Sequence, residues 1–141
     1  MISFKDHKYI TEQVNFINKF HTLGMPRAQL PQITAKDLPD FVKWLRSEGH
    51  TVKQVPMKVT DLKLTQGDID LEKVIKMIHG NYHNTKPILI SSDNYITDGH
   101  HRLLAMQIAK PKTKILGVQV DIPIRDLINK ANSWGKSFRA N

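Results

Sequence analysis

The sequence predicts an α+β protein: a small mixed sheet flanked by helices, preceded by an N-terminal helical extension. Three observations carry this. Apolar residues recur at helical spacing from residue 7 to residue 20 and again after Asp37. From Val52 the period shortens to two, with Val55, Met57 and Val59 alternating with Lys53, Pro56 and Lys58. A hairpin pattern over 88–97 then opens onto an apolar helical run, and a further strand pattern follows at Ile115–Val120. The 141 residues suffice for one domain with a real core and a small appended piece.

Taken in order, the first helix places Ile10, Val14 and Ile17 on one face, widened by Phe16 and Phe20, and Gly24 and Pro26 end it. Residues 24–32, with two prolines, read as a loop. Asp37 is positioned to cap a second helix, with Pro39 tolerated in its first turn, a stripe of Leu38, Phe41, Val42 and Leu45, and Gly49 as its stop. Pro56 confines the next strand to an edge or to its own start. Asp70 is a cap for a third helix carrying Leu71, Val74, Ile75 and Ile78; Gly80 ends it, and Asn81–Lys86 reads as a polar loop. Ile88–Ile90, the turn Ser91–Asn94 and Tyr95–Thr97 form the hairpin, and Leu103–Ala109 the buried helix after it. After the strand at 115–120, Pro123 precedes a last helix with Ile124, Leu127, Ile128 and Ala131 inward. These patterns divide the chain into a helical extension at 1–50, an α+β unit at 51–132 and a basic-aromatic tail at 133–141.

Composition narrows the classes. There is no cysteine, which excludes disulfides, thiolate zinc sites and thiol chemistry. No apolar run approaches the ~20 residues of a membrane span, and Met1–Asp6 lacks the apolar stretch of a signal peptide. A soluble cytoplasmic protein without a membrane partner is expected. The formal net charge of +8 favours a polyanionic partner, a nucleotide, DNA or an acidic protein. The lysines are spread along the chain, so solubility explains the charge about as well.

The chemistry concentrates in Thr97-Asp98-Gly99-His100-His101-Arg102, between a strand and a helix. Unpaired N–H groups and the positive end of the dipole favour an anion at such a helix start. Gly99 permits close backbone approach, and Arg102 supplies a planar fork for phosphate oxygens. Asp98 is the candidate catalytic carboxylate, able to orient a nucleophile or contact Mg²⁺, with His100 beside it as the second candidate. The plain alternative is an Asp-Gly turn in which Asp98 caps the helix and the other side chains are solvated.

Weaker constellations lie elsewhere. His79 and His83 are four apart, but Gly80 and Asn81 break a helix between them and no third ligand stands nearby. Thr65 and Gln66 either line a nucleotide pocket or form a turn. Arg27, Gln29 and Gln32, on the proline-braced loop, either fold over the site as a lid or substrate reader, or sit on a connector between helices. Trp134, Lys136, Phe138 and Arg139 either stack on single-stranded nucleic acid or form a tail with one docked aromatic.

The element order, with Asp98-Gly99-His100-His101-Arg102 at the strand-to-helix turn, resembles the ParB/sulfiredoxin superfamily over about residues 52–132. The resemblance runs from Val55–Val59 through Leu71–Val74 to the pentapeptide. It implies a nucleotide phosphate tail on Gly99, His101 and Arg102. It also implies phosphate contact from Lys73, whose face Lys76 shares. It implies ATP and Mg²⁺ as the cofactors. The missing cysteine excludes sulfinic acid reduction, and neither a Gly-Glu-Arg-Arg box nor a helix-turn-helix domain is present for a partitioning protein. The pentapeptide is most similar to the kinase-like members, which include free serine kinases and predicted phage kinases acting on modified bases. There a carboxylate near the turn assists the acceptor hydroxyl; Asp98 matches it, with Glu72 and Asp70 as second acidic candidates. Three readings stay open on sequence: an ATP-dependent phosphotransferase acting on a hydroxyl, with DNA as one acceptor; a metal-dependent nuclease using Asp98, His100 and His101; and a non-catalytic nucleotide- or DNA-binding regulator.

Overall fold

A computed structural model of the chain describes residues 4–20, 22–80 and 87–139. The second, third and fifth helices begin where a side chain or a proline deals with unpaired N–H groups. Helix α1 (Phe4–Phe20) buries Ile10 and Val14, one turn apart; the side chains of Phe16, Ile17 and Phe20 lie outside the described residues. Helix α2 (Leu38–Ser47) is not capped by Asp37, which is itself helical at φ −91° and ψ −12°. Thr34 takes that role: its Oγ1 accepts from Asp37 N–H at 3.2 Å and its carbonyl from Leu38 N–H at 3.0 Å. The helix still starts at Leu38, but its capping bonds come from upstream, and Pro39 in the first turn has no N–H to cap.

Helix α3 (Leu71–His79) starts as the sequence predicts, with the Asp70 carboxylate accepting from Glu72 and Lys73 N–H. This makes Asp70 a cap, with both bonds on Oδ1. Helix α4 (His100–Ala109) follows Gly99, and Leu103 and Leu104 are fully buried. Each such leucine contributes about 1.5–3 kcal/mol of burial. Helix α5 (Ile124–Ser133) enters through Pro123 and is capped from a distance: Asp93 Oδ1 accepts from Ile124 N–H at 3.1 Å.

The strands are β1 (Thr22–Met25), β2 (Pro31–Gln32), β3 (Val52–Lys58), β4 (Leu64–Gln66), β5 (Ile88–Ile90), β6 (Lys114–Val120) and β7 (Phe138–Arg139). Among the described residues they form three small sheets. The largest has the order β3-β6-β5, antiparallel between β3 and β6 and parallel between β5 and β6, so it is mixed. Pro56 sits on its edge strand, where a missing donor is tolerated. Strand β1 pairs in parallel with β4, and β2 pairs antiparallel with β7. Isolated bridges Ile90↔Ile96 and Lys63↔Tyr95 join the β5 side to the β4 side. No helix among the described residues is long and apolar enough to cross a membrane.

Three expectations need correction. Residues 1–50 are not all helical: the proline-braced segment contains β1, a 3-10 turn at Arg27–Gln29 and β2. Gly67 shows why a strand fits there. A Cβ on it would stand 2.6 Å from Gly24 Cα, so two glycines let β1 and the end of β4 touch. Thr65 and Gln66 are therefore strand residues and not a turn. The second hairpin arm, Tyr95–Thr97, is also reduced to single bridges, because Ile96 N–H bonds Lys63 O at 3.0 Å and leaves β5 after one pair.

The core has two main parts. One packs Ile10 and Val14 of α1 with Leu64, Val74, Ile90, Leu103 and Leu104. The other packs Phe41 and Leu45 of α2 with Val120, Leu127 and Ala131. The tail docks on the second: Trp134 lies 5.1 Å from Phe41, centroid to centroid, and Lys136 Nζ is 3.0 Å from Asp40 Oδ2. The side chains of Phe138 and Arg139 lie outside the described residues.

Candidate functional site

The hairpin and α4 meet at Gly99, whose φ of +82° is a left-handed conformation that side chains rarely adopt. This sharp turn carries the chain from Asp98 into α4 without a side-chain cap. The Arg102 guanidinium folds back over it: a Cβ at position 99 would stand 2.6 Å from Arg102 Nη2. Asp98 is exposed, and its Oδ1 accepts the Gly99 N–H at 2.7 Å. The backbone angle favours glycine at position 99, and a methyl group there would have to displace the guanidinium.

A cavity of about 420 Å³ opens here. Thr97, Asp98, Gly99 and Arg102 form its polar wall. Its apolar wall comes from β5 and from the stretch between β2 and α2, with Ile33, Leu38 and Ile88. An anion at the polar end meets the opening of α4 and a guanidinium; a flat apolar group has room at the other. Sequence reasoning missed Ile33, Thr34 and Ala35. It placed the covering loop a few residues too early, at Arg27–Gln32; the wall lies instead around Thr34, in the turn that leads into α2.

His100 turns away from this cavity. It is 2% exposed, and its Nε2 lies 2.6 Å from Thr65 Oγ1, which in turn is 2.7 Å from Ile96 O. A carbonyl only accepts, so the threonine hydroxyl donates to Ile96 and the His100 Nε2–H donates to the hydroxyl. Burial, reinforced by the neighbouring His101, pushes the imidazole down to about 3, so it is neutral. A catalytic or metal-ligating His100 does not fit this placement. Thr65, fully buried, and Gln66, 4% exposed with its amide on Asp68 O at 3.1 Å, do not line the cavity either.

His101 joins two helix starts: its Nε2 accepts from Asp70 N–H at 3.0 Å. Burial first, then the Lys73 ammonium, then Arg27, hold it below its ordinary pKa, against Asp70 and Asp68, which raise it. Arg27 and Lys73 thus act on one imidazole, on the α3 side of the turn. Neither lines the cavity, and Lys76 is exposed one turn along α3. Gln29 is exposed and holds Asn132 through its carbonyl, and Gln32 pairs with Phe138 in β2–β7. Glu72 is exposed on α3.

Among the described residues no three His, Asp or Glu side chains converge on one point as a metal site. Asp98, His100 and His101 diverge: one is exposed, one is interior, and one bonds α3. His83 and the loop expected at 81–86 lie outside the described residues. Compared with family models, curated proteins and solved structures, the chain finds no match.

Proposed function

We propose that the chain is a nucleotide-binding phosphotransferase of the ParB/sulfiredoxin type, transferring a phosphoryl group to a hydroxyl. One observation carries this reading: the left-handed Gly99, lying under the Arg102 guanidinium, opens α4 onto a cavity whose wall also holds Asp98. Phosphoryl transfer consists mostly of positioning and charge neutralisation, which backbone N–H groups and a guanidinium supply.

The residues present fit a triphosphate with Mg²⁺. Gly99 leaves the helix start bare of side chain, and Arg102 presents a fork for phosphate oxygens. Magnesium commonly uses one or two protein carboxylates besides phosphates and waters, and Asp98 is the carboxylate on the cavity wall. When bound, Mg²⁺ would neutralise charge on the phosphates. With Oδ1 held by Gly99 N–H, Asp98 Oδ2 is the oxygen that orients the acceptor hydroxyl and takes its proton. The bond from the transferred phosphorus to its bridging oxygen breaks as the bond to the acceptor oxygen forms. Lys73 and Arg27, beside His101, add positive charge on the α3 side of the same turn. The net charge of +8 suits an anionic acceptor such as DNA.

Calorimetric titration of ATP, with and without Mg²⁺, tests the site in the wild type and in Arg102→Ala. Binding that the substitution abolishes supports it, and ADP release that requires an added hydroxyl acceptor supports the transfer. A wild type that binds no ATP refutes the reading. Binding without ADP release on any acceptor leaves a nucleotide-binding regulator.

A further inference from the structure

The cavity at Gly99 does not end at its apolar wall. A second cavity of about 280 Å³ adjoins it, and Ala35, Leu38 and Pro87 border both. Its sides are apolar and come from three separate elements: Val42 on α2, Val52 on β3 and Val118 on β6. Two polar groups stand at its margin, the Arg46 guanidinium and the Gln54 amide. Arg46 is not loose. Its Nη2 donates to Val52 O at 2.9 Å, which ties the guanidinium on α2 to the edge of the sheet. Gln54 is exposed on β3 and carries both a donor and an acceptor.

We infer that this second cavity is the slot for the heterocyclic base of the bound nucleotide, an assignment that rests on the proposed nucleotide site. The chemistry selects that occupant. A base has two apolar faces and a polar edge. The valines offer apolar faces, a fixed guanidinium offers a plane to stack on, and an amide can pair with the edge. A plain aliphatic ligand would leave the Gln54 amide without a partner in the slot. A second phosphate would lie against valines. The shared border of Ala35, Leu38 and Pro87 lets one ligand span both cavities, phosphates at Gly99–Arg102 and base at Val42–Gln54.

The test compares two probes, ATP and inorganic tripolyphosphate, by calorimetry on the wild type, Val42→Trp and Gln54→Trp. The two tryptophans fill the slot from two different elements, α2 and β3. Gln54 is exposed, so its variant keeps the test alive if Val42→Trp does not fold, and circular dichroism checks both. The wild type is expected to bind ATP more tightly than tripolyphosphate by about tenfold to a hundredfold, the usual gain from stacking one base. The filled variants should bring ATP down to the tripolyphosphate level and leave tripolyphosphate unchanged. ATP binding that survives a filled slot, or equal wild-type affinities for the two probes, overturns the base slot while the phosphate site stands. A wild type that binds neither probe overturns the nucleotide site itself, and the slot with it.

Discussion

Mild acid should destabilise this protein through His100. In the fold the imidazole is neutral, held there by burial with a pKa of about 3 against an ordinary 6.5. The unfolded chain takes up a proton on it below its ordinary pKa; the folded chain does not. Stability therefore rises with pH across the interval between the two values and falls as acid is added. One proton bound only by the unfolded state costs about 1.4 kcal/mol per pH unit. Lowering the pH to about 5 should remove about 2 kcal/mol, a large part of a typical 5–15 kcal/mol stability. His101, also held below its ordinary pKa, adds to the loss with the same sign. Urea unfolding at several pH values measures the slope in the wild type and in His100→Gln, whose amide can still donate to Thr65. The variant should lose about one proton's worth of slope. Equal slopes in the two proteins would mean that His100 takes its proton inside the fold, and the buried-neutral assignment would fall.

Three further outcomes follow from the same geometry. Thr65→Val keeps the shape but strands two buried groups, the His100 Nε2–H and the Ile96 carbonyl; chemical denaturation should show a loss of about 2–5 kcal/mol. A loss below about 1 kcal/mol would indicate a different hydrogen-bond arrangement. Gly99→Ala should cost only about 1–2 kcal/mol, since a flexible guanidinium can move aside for the methyl group, yet weaken ATP binding by displacing Arg102. Unchanged affinity in that variant would detach the turn from ligand binding. Asp70→Ala removes the acceptor for two N–H groups at the start of α3 and should cost about 0.5–2 kcal/mol by thermal melting, with ATP affinity little changed.

The helices were legible because each carries a local signal. Asp70 before Leu71, the inward stripes Phe41–Leu45 and Ile124–Ala131, and the run at Leu103–Met106 speak for themselves over a few residues. The short strands were not. Thr22–Met25 and Leu64–Gln66 become strands only because they find each other across the chain, with Gly24 and Gly67 allowing the approach. A pairing partner some forty positions away leaves no periodic trace in a segment of three or four residues. The site divided in the same way. Asp98, Gly99 and Arg102 were readable from the motif. His100 was not, since nothing in the pentapeptide says which of two adjacent imidazoles faces inward; Thr65, buried in β4, decides it. The cavity's far wall was hidden because it is assembled from Ile33–Ala35 and Pro87–Leu89, which carry no chemistry of their own.

The pairing of β2 with β7 has a consequence for how the protein is made. Pro31 and Gln32 run directly into Ile33, Thr34 and Ala35, and their partners are Arg139 and Phe138. A ribosome releases the turn at Gly99 well before it releases residue 138. A nascent chain can thus form the Gly99 turn while the wall opposite it has no strand to pin it. Chains interrupted before Phe138 would carry the motif but lack the strand that pins Ile33–Ala35 opposite it.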